Sequence, residues 1–488
     1  MKLLKELIVI DSKSEMPVYL QIANSFIHNI RAGRLRKGLR LPGTREVAAL
    51  LNVNRMTVVV AYSELEAQGW IEVRPRKGTF VSEALPLLSP KSYAEKSGPS
   101  ALPDEPRFAF YERYLPSRAT RFLGAAPKLV INDGFPDPRL VPMEQLLRNM
   151  RRFSRMKSQQ KYLMYGNAQG TEFLRETLAA FLSDTRGLPV TPSNILITHG
   201  AQMGIFLAAN LLIRPRDVVV VGQPGYIFVN RTLEQLGAKL HHVPVDEEGL
   251  DVDVIERLCR RKKIKFVYVI SHHHNPTTVT LSPERRIRLL ELAVRYRFAI
   301  LEDDYDYDFH YASKPIMPMA SLDTTGSVIY IGTLTKTLAP AVRLGFMVAP
   351  AKFITSAVHL RRIVDMQGDS LLENGIAELY RDGTMSSHIR KTVKLYRERR
   401  DHFCQLLQSE LSDEVSFKIP DGGMSVWVQF KKNTTRIAER AYARGLLLRD
   451  GTEFDTDKVR YNAMRMGFAS LNFKEQKMAV EILKECIL

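Results

Sequence analysis

Hydrophobic residues near the amino-terminal end of the chain recur with the spacing of a helix. Ile22, Phe26 and Ile30 lie four residues apart, and Pro17 stands just before them. This pattern predicts a helix that begins near Pro17, because proline is well tolerated at a helix start. We expect Thr44 to cap a second helix, since a threonine side chain can accept a hydrogen bond from a free backbone N–H.

A third helix and a short β signature follow. The tight turn Asn52–Asn54 precedes the third apolar helical face, and Gly69 marks its end. Two runs of β-forming residues, Ile71–Val73 and Thr79–Val81, then flank the basic segment Arg74–Gly78. This order predicts a β-hairpin with a basic tip.

Further along the chain, short apolar runs alternate with helical stretches. The runs are Ile195–Thr198, Val218–Val221, Phe266–Ile270, Ala299–Glu302 and Val328–Ile331. Their spacing leaves room for crossover helices, so we predict an α/β fold with a mainly parallel sheet and helices on both faces. In such sheets, ligands bind beyond the carboxyl ends of the strands.

The length and the local composition of the sequence predict two domains. A chain of 488 residues is too long for a single core. Prolines and small polar residues are dense after residue 82, which is typical of a linker. We therefore predict a small head at residues 1–82, a linker at 83–127 and a large body at 128–488.

Charge and composition limit the classes of partner that the protein is expected to bind. The formal net charge is +17, and residues 1–82 hold 13 Lys and Arg residues against 7 Asp and Glu residues. This excess favours a polyanionic partner, although a generally basic surface is the alternative. Three separated cysteines, no apolar run long enough for a membrane span and a charged amino-terminal stretch together predict a cytoplasmic protein with no membrane partner.

The order helix, short turn, helix and basic hairpin is typical of a DNA-binding domain. The third helix would enter the major groove with its first residues nearest the bases, where arginine pairs with guanine and asparagine with adenine. The candidate DNA-binding residues from this reasoning are Asn54, Arg55 and Thr57 on that helix, Arg45 on the helix before it, and Arg74, Arg76 and Lys77 on the hairpin. The alternative is a protein-interaction module with a solvated basic loop.

The head also resembles the GntR-type winged helix over nearly its whole length. The pieces G-R-L, L-P-x-x-R-E, N-R-x-T-V, Y-x-x-L-E-x-x-G and R-x-x-K-G-T-F-V occur in order. The resemblance implies a double-stranded DNA operator as partner. It also implies that Arg45, Arg55, Thr57 and Gly78 fall at DNA-contact positions.

In the body, Lys336 follows a predicted strand among hydroxyl residues that include Thr333. A lysine there is placed to form a Schiff base with an aldehyde, although a surface lysine is the alternative. Asp303 follows another strand, and a carboxylate can keep the ring nitrogen of pyridoxal 5′-phosphate (PLP) protonated. Asp304 is the second choice for this role, a solvated acidic loop is the alternative, and Tyr305 would hydrogen-bond the ring hydroxyl.

Other strand ends supply more candidates. Asn275 would donate to the same ring oxygen, and Tyr226 would stack on the ring unless it is a turn aromatic. A phosphate cradle is predicted at a glycine turn and helix start, with Arg343 as its cationic partner; its residues are Gly200, Ala201 and Gln202. The run His272–His274 suggests a metal, but adjacent side chains on an extended chain point to opposite faces and cannot easily share an ion. We therefore predict no metal site, and a metal bound by these histidines is the alternative.

In order, these motifs resemble fold-type I PLP enzymes of the aminotransferase class. The motifs are GAQ, PGY, NPT, D-D-Y, T-x-x-K and R-L-G, and Thr278 stands where glycine is usual. The resemblance implies that Arg465 pairs with the carboxylate of an amino-acid effector. It also implies a homodimer in which Tyr165 reaches the partner's pocket. Together with the head, the chain resembles the MocR/GabR subfamily of GntR-type regulators.

The sequence therefore predicts a transcription regulator that senses an amine or amino acid through an aldimine at Lys336, without net turnover. PLP itself is an alternative signal. An active aminotransferase with an accessory DNA-binding head is the alternative from another class, because regulators and enzymes share the aldimine step.

Overall fold

The structure is a computed structural model that describes residues 7–8, 10–11, 14, 16–85, 108–109, 127, 129–156, 160–311, 316–456 and 458–487. The chain divides into two compact units, Met1–Tyr114 and Leu115–Leu488. Most of the predicted linker lies outside the described residues. The boundaries 1–82, 83–127 and 128–488 therefore stay a prediction.

The described elements of the amino-terminal unit have the order of a winged helix. They are α1 (Val18–Arg31), β1 (Arg40–Leu41), α2 (Thr44–Leu51), α3 (Arg55–Ala67), β2 (Ile71–Arg74) and β3 (Gly78–Val81). The predicted apolar faces of the helices pack together, and Ile22, Phe26, Val58 and Leu65 are buried among them. The three strands form an antiparallel sheet in the order β1-β3-β2.

The predicted cap of α2 was wrong. Thr44 is the first residue of the helix, and Gly43 occupies the cap position. The backbone N–H of Gly43 donates to Oε2 of Glu46 at 3.0 Å. A carboxylate three residues into the helix therefore fixes the helix start, instead of the threonine hydroxyl.

The second unit contains many alternating helices and strands. They are β4 (Leu129–Val130), α4 (Met143–Ser154), α5 (Gln160–Leu163), α6 (Glu172–Arg186), β5 (Ile195–Thr198), α7 (Ala201–Leu212), β6 (Val218–Gln223), α8 (Ile227–Gln235), β7 (Lys239–Asp246), β8 (Gly249–Leu250), α9 (Val252–Cys259), β9 (Ile264–Val269), α10 (Pro283–Tyr296), β10 (Ala299–Asp303), α11 (Met319–Leu322), β11 (Val328–Thr333), β12 (Gly345–Val348), α12 (Ala351–Val364), α13 (Ser370–Arg381), α14 (Thr384–Leu411), β13 (Val415–Phe417), β14 (Ser425–Phe430), α15 (Thr434–Ala443), β15 (Leu446–Leu447), β16 (Ala463–Gly467) and α16 (Phe473–Ile487).

An eight-stranded sheet organises this unit, in the order β5-β12-β11-β10-β9-β6-β7-β8. The neighbours from β11 through β10, β9 and β6 to β7 pair in parallel, whereas β12 is antiparallel to both of its neighbours. Apolar clusters cover both faces of the sheet. The predicted α/β class and all five predicted strands are confirmed.

A second sheet, with the antiparallel order β13-β14-β16, packs against the carboxyl-terminal helices. A short parallel pair joins β15 to β4. In the part of the chain that the structure describes, no helix has both the length and the apolar character that a membrane crossing requires.

Candidate functional site

Five loops meet at one edge of the eight-stranded sheet, which we call the carboxyl edge. Five parallel strands, β5, β6, β9, β10 and β11, end there, and antiparallel β12 begins there. The loops carry most of the predicted body residues, namely Gly200, Ala201, Gln202, Tyr226, Asn275, Tyr305, Lys336 and Arg343, with Asp303 at the end of β10. The topology thus brings together residues that lie far apart in the sequence.

Lys336 lies inside this edge and contacts the segment Asn132–Phe135. Its Nζ donates to the carbonyl oxygen of Gly134 at 2.7 Å and lies 4.1 Å from the ring centroid of Phe135. Burial and the positive charge of Arg465 lower the pKa of Lys336 to about 8, although nearby carboxylates oppose this shift. A substantial share of the amine is therefore unprotonated, and nucleophilic, at mildly alkaline pH.

Asp303 faces the same pocket as Lys336. Its Oδ2 accepts a hydrogen bond from the hydroxyl of Tyr268 at 2.7 Å. Its buried Oδ1 has no hydrogen-bond partner among the described residues. Burial raises the pKa of Asp303 to about 7, so a cationic or N–H partner would stabilise its ionised form.

Asp304 faces the opposite side of the sheet, as alternation along a strand requires. It hydrogen-bonds to Nδ1 of His272 at 3.1 Å and accepts from the hydroxyl of Tyr330 at 2.9 Å. Burial alone would raise its pKa, but His272 and Arg186 outweigh that effect and hold the pKa at about 2. Asp304 is thus already paired, whereas Asp303 keeps a free oxygen.

The three consecutive histidines have separate partners. His272 contacts Asp304, Nδ1 of His273 lies 2.9 Å from Asp306, and Nδ1 of His274 lies 2.9 Å from Oγ1 of Thr277. Over the described ranges, no group of three or more His, Cys, Asp or Glu side chains could hold a metal ion.

Asn275 comes next in the chain and lies at the pocket. Its buried Oδ1 has no hydrogen-bond partner in the part of the chain that the structure describes. Burial of a polar atom without a hydrogen-bond partner costs free energy. The Asn275 side chain is therefore available to a polar ligand.

The glycine turn after β5 is the predicted phosphate cradle. Gly200 caps the amino terminus of α7 with a φ of 77°, which favours glycine. A Cβ atom on Gly200 would lie 2.7 Å from Nη2 of Arg343, and one on Gly345 would lie 2.7 Å from the backbone carbon of Gly200. The helix amino terminus, with the guanidinium of Arg343 beside it, is suited to a phosphate group.

The predicted cradle residue Gln202 and the hydroxyl residue Thr333 near Lys336 make contacts within the protein. The amide of Gln202 donates to Oγ1 of Thr232 at 2.8 Å. The hydroxyl of Thr333 hydrogen-bonds to Thr335 and to the carbonyl of Leu344. Both residues thus help to shape the cradle.

Arg465 lies on β16 and reaches the pocket from the second sheet. Only 4% of its surface is exposed. Its guanidinium donates to three protein acceptors at 3.1 to 3.2 Å, namely the carbonyl oxygens of Asp133 and Pro276 and the hydroxyl of Tyr305. A carboxylate ligand would have to displace some of these contacts.

Two aromatic residues complete the pocket. Tyr226 is half-buried, and burial together with the charge of Asp303 raises its pKa to about 12. The hydroxyl of Tyr305 donates to the carbonyl oxygen of His273 at 2.6 Å.

Sequence reasoning missed Tyr268 and the segment Asn132–Phe135. Tyr268 lies on β9, where a polar hydroxyl inside an apolar strand was an available signal. The segment Asn132–Phe135 contacts both Lys336 and Arg465, but it lies about 200 residues before Lys336 and carried no motif.

In the head, the candidate DNA-binding residues divide into free and engaged side chains. Arg45 and Arg55 are exposed on α2 and at the start of α3. Asn54 caps α3 instead, because its Oδ1 accepts from the N–H of Met56 at 2.8 Å. Thr57 follows in the first turn of α3 and is partly exposed.

The hairpin shows the same division. Arg74 forms ion pairs with Glu72 and Glu83, and its guanidinium lies over Phe80. Arg76 and Lys77 at the tip are exposed and have no ion pair in the described residues. Gly78, with a φ of 111°, leaves room for Arg40, whose Nε would lie 3.2 Å from an added Cβ.

Comparisons with known proteins find a matching family for each of the two units. Residues 132–483 match the model of aminotransferase class I and II, and residues 18–81 match that of bacterial regulatory proteins of the gntR family. The chain belongs to the aminotransferase class I and II family. Its head is a GntR-type winged helix, and the combination is the MocR/GabR-type architecture.

Individual relatives support the same assignment. The HTH-type transcriptional regulator TauR of Rhodobacter capsulatus is 32% identical over 91% of this chain and 90% of its own. The probable rhizopine catabolism regulatory protein MocR of Rhizobium meliloti is 29% identical over 87% of this chain and 84% of its own. The crystal structure of the multiple substrate aminotransferase from Thermococcus profundus is 27% identical, with a TM-score of 0.72, over 78% of this chain and 97% of its own. Family members with the same head are thus named regulators, and the body has an aminotransferase fold.

Proposed function

We propose that this protein is a PLP-binding transcription regulator that binds an operator in double-stranded DNA and responds to an amino acid or related amine. The observation that carries the proposal is the pocket in which the amine of Lys336 and the unpartnered Oδ1 of Asp303 lie, on a chain that also has a GntR-type head. We further propose a cytoplasmic homodimer. Tyr165, which is 81% exposed, is our candidate for reaching the partner's pocket.

The residues of the carboxyl edge fit PLP. Asp303 offers a free buried oxygen for the ring nitrogen. Asn275 would donate an amide N–H to the ring oxygen. Because Gly200 has no side chain, the guanidinium of Arg343 lies directly against the start of α7, where the two would together hold the phosphate. When bound, PLP supplies an aldehyde that bonds to amines and a ring that withdraws electrons.

The chain's own residues would divide the work as follows. Lys336 provides the amine that holds the cofactor, and Asp303 keeps a proton on the ring nitrogen. Tyr226 packs against the ring, and Tyr305 keeps the guanidinium of Arg465 in place. A ligand carboxylate at Arg465 would compete with the carbonyl oxygen of Asp133.

Ligand binding would therefore act on the segment Asn132–Phe135. This segment contacts Lys336 through Gly134 and Arg465 through Asp133. An amino acid that engages both side chains removes both contacts at once. The segment then has two arrangements, with and without these contacts, and the amino acid binds them with different affinities. The difference between the two binding free energies is the free energy available for regulation.

In the head, Arg55 and Thr57 are proposed to contact bases in the major groove, and Arg45, Arg76 and Lys77 to contact the backbone. Asn54 is proposed to act mainly as the helix cap, and Arg74 mainly as a support of the hairpin, because their side chains are engaged within the head.

A binding experiment tests this proposal. The full chain is titrated with DNA from upstream of its own gene, with and without PLP and amino acids, and the protected region is mapped by footprinting. We expect Arg55→Ala to weaken recognition by about 1–3 kcal/mol and to leave PLP absorbance unchanged. Lys37→Ala, which removes an exposed charge elsewhere in the head, is the matched control. Equal footprints for the parent and Arg55→Ala would contradict the proposal.

An active aminotransferase is the second candidate. The observation that favours it is that Asp303 and Arg465 lie near Lys336, whose amine would be the proton-transfer group once it is freed. An assay for keto-acid formation separates the two functions. Multiple turnovers together with sequence-indifferent DNA binding would favour the enzyme.

A further inference from the structure

The opposite edge of the eight-stranded sheet, which we call the amino edge, gathers basic side chains from two separate segments. β6 begins at Val218, which is in register with Lys239 of β7 and with Ile264 of β9. The loop before β6 carries Arg214 and Arg216, and the turn before β9 carries the run Arg260–Lys263. Parallel pairing thus places these loops side by side.

A cleft of about 220 Å³ lies between the loops. Its cationic lining residues are Arg214, Arg216, Lys263 and Lys265. Arg214 and Arg216 are exposed, as is Lys263, whereas Lys265 is half-buried. The cleft is thus an open, positively charged concave surface.

These cations are not neutralised within the described ranges. Arg214, Arg216, Lys263 and Lys265 have no ion pair with a described residue, whereas Arg260 pairs with Glu256. Asp217 is the acidic side chain in the lining, and its Oδ2 accepts the backbone N–H of Arg214 at 2.9 Å. Burial and the nearby charge of Lys262 lower the pKa of His241, which is consistent with an excess of positive charge here.

The backbone at Arg216 supports a role beyond solubility. Its φ of 74° lies in the left-handed region, which a residue with a side chain adopts at a cost in free energy. The N–H of Arg216 donates to the carbonyl oxygen of Gly237 at 2.7 Å, which holds this conformation. The fold therefore fixes the backbone from which this guanidinium projects.

We propose that the amino-edge cleft is a second DNA-binding surface, which contacts backbone phosphates and is independent of base sequence. The inference rests on the proposed function, in which DNA is the partner of the head. Clustered arginine and lysine side chains with free donors recognise phosphodiesters, and a run such as Arg260–Lys263 is typical of nucleic-acid contacts. The carboxyl-edge pocket supplies none of these residues.

The test uses the full-length protein and random-sequence duplex DNA, with affinity measured by fluorescence anisotropy over a series of salt concentrations. The cleft variant carries Arg216→Gln, Lys263→Gln and Lys265→Gln. The control variant carries Lys418→Gln, Lys431→Gln and Lys474→Gln, which remove the same charge from exposed positions on the carboxyl-terminal part of the body. PLP absorbance and thermal unfolding check that both variants are folded.

We expect the cleft variant to bind at least about tenfold more weakly than the control variant at ~0.1 M salt. The dependence of log K on log salt should become shallower by about 2 to 3 units, because each lost phosphate contact removes about 0.9. Equal affinities and equal salt slopes for the cleft and control variants would overturn the inference.

The same triple variants in an Arg55→Ala background separate this inference from the proposed function. The inference requires the cleft variant to lose binding in both backgrounds. Failure of the proposed function has a different signature, namely an Arg55→Ala protein that binds the DNA upstream of its own gene as tightly as the parent does.

Discussion

The two edges of the eight-stranded sheet differ in how they arrange charge. At the carboxyl edge, buried Asp303 and Arg465 lie together with half-buried Lys336, and their charges affect one another. At the amino edge, Arg216 and Lys263 are exposed and lack ion pairs in the described residues. Buried charges interact strongly and specifically, whereas exposed charges act additively and are screened by salt. Single substitutions should therefore have large effects at one edge and graded effects at the other.

The largest expected effect is at Lys336. Lys336→Ala should abolish covalent attachment of PLP, because the structure describes no second lysine in this pocket. Borohydride reduction followed by mass spectrometry of peptides measures the adduct. Lys474→Ala, which removes an exposed lysine, should retain full labelling. A pyridoxyl adduct on another residue of the parent protein would contradict the assignment.

The next effect compares two adjacent carboxylates. Asp304→Asn should reduce the free energy of unfolding by about 3 kcal/mol, because buried Arg186 and His272 lose an ionised partner. Asp303→Asn should cost less than about 1 kcal/mol near pH 7, because Asp303 is already partly protonated there. Urea unfolding of the cofactor-free proteins measures both values, and equal losses would show that the two sides of β10 do not differ as described.

A smaller effect sharpens the contrast at the amino edge. Lys263→Gln alone should weaken binding to random-sequence DNA by up to about eightfold at ~0.1 M salt. A second substitution at half-buried Lys265, Lys265→Gln, should weaken binding further, because it removes another positive charge from the same cleft. PLP retention should be the same in both variants and the parent. A loss of PLP from either variant would mean that the two edges are coupled.

The sequence alone predicted five strands of the eight-stranded sheet and the residues at their carboxyl ends, because apolar runs and the loops after them are local features. Val328–Ile331 and Ala299–Glu302 were predicted with errors of one or two residues. β7 was not predicted, since its alternating polar residues, including His241 and His242, resemble an exposed segment.

Properties that depend on several segments could not be predicted. The choice between Asp303 and Asp304 stayed open in the sequence, and it depends on which face of β10 meets Arg186 and which meets Tyr268. The amino-edge cleft joins Arg214 and Lys263, which lie in different loops, and only the parallel register of β6 and β9 brings them together. Tertiary contacts decided these features.

The smallest expected effect concerns Tyr268, whose hydroxyl donates to Asp303. The pKa of Asp303, about 7, is above the ordinary value of 3.8 for an aspartate. The folded protein therefore keeps a proton that the unfolded chain releases, so this group makes the free energy of unfolding fall as pH rises from about 4 to 7. The Tyr268 hydrogen bond lowers the pKa of Asp303, because it favours the ionised form.

Tyr268→Phe should therefore raise the pKa of Asp303 and extend that fall to higher pH. The loss of unfolding free energy should be about 1 kcal/mol and should be greater at about pH 8 than at about pH 5. Urea unfolding of the cofactor-free protein at the two pH values measures the difference. In an Asp303→Asn background the pH dependence of the Tyr268→Phe effect should vanish, because no proton remains to be redistributed. An equal loss at both pH values in the parent background would show that Tyr268 only packs against Asp303, and that the buried carboxyl group is controlled by other neighbours.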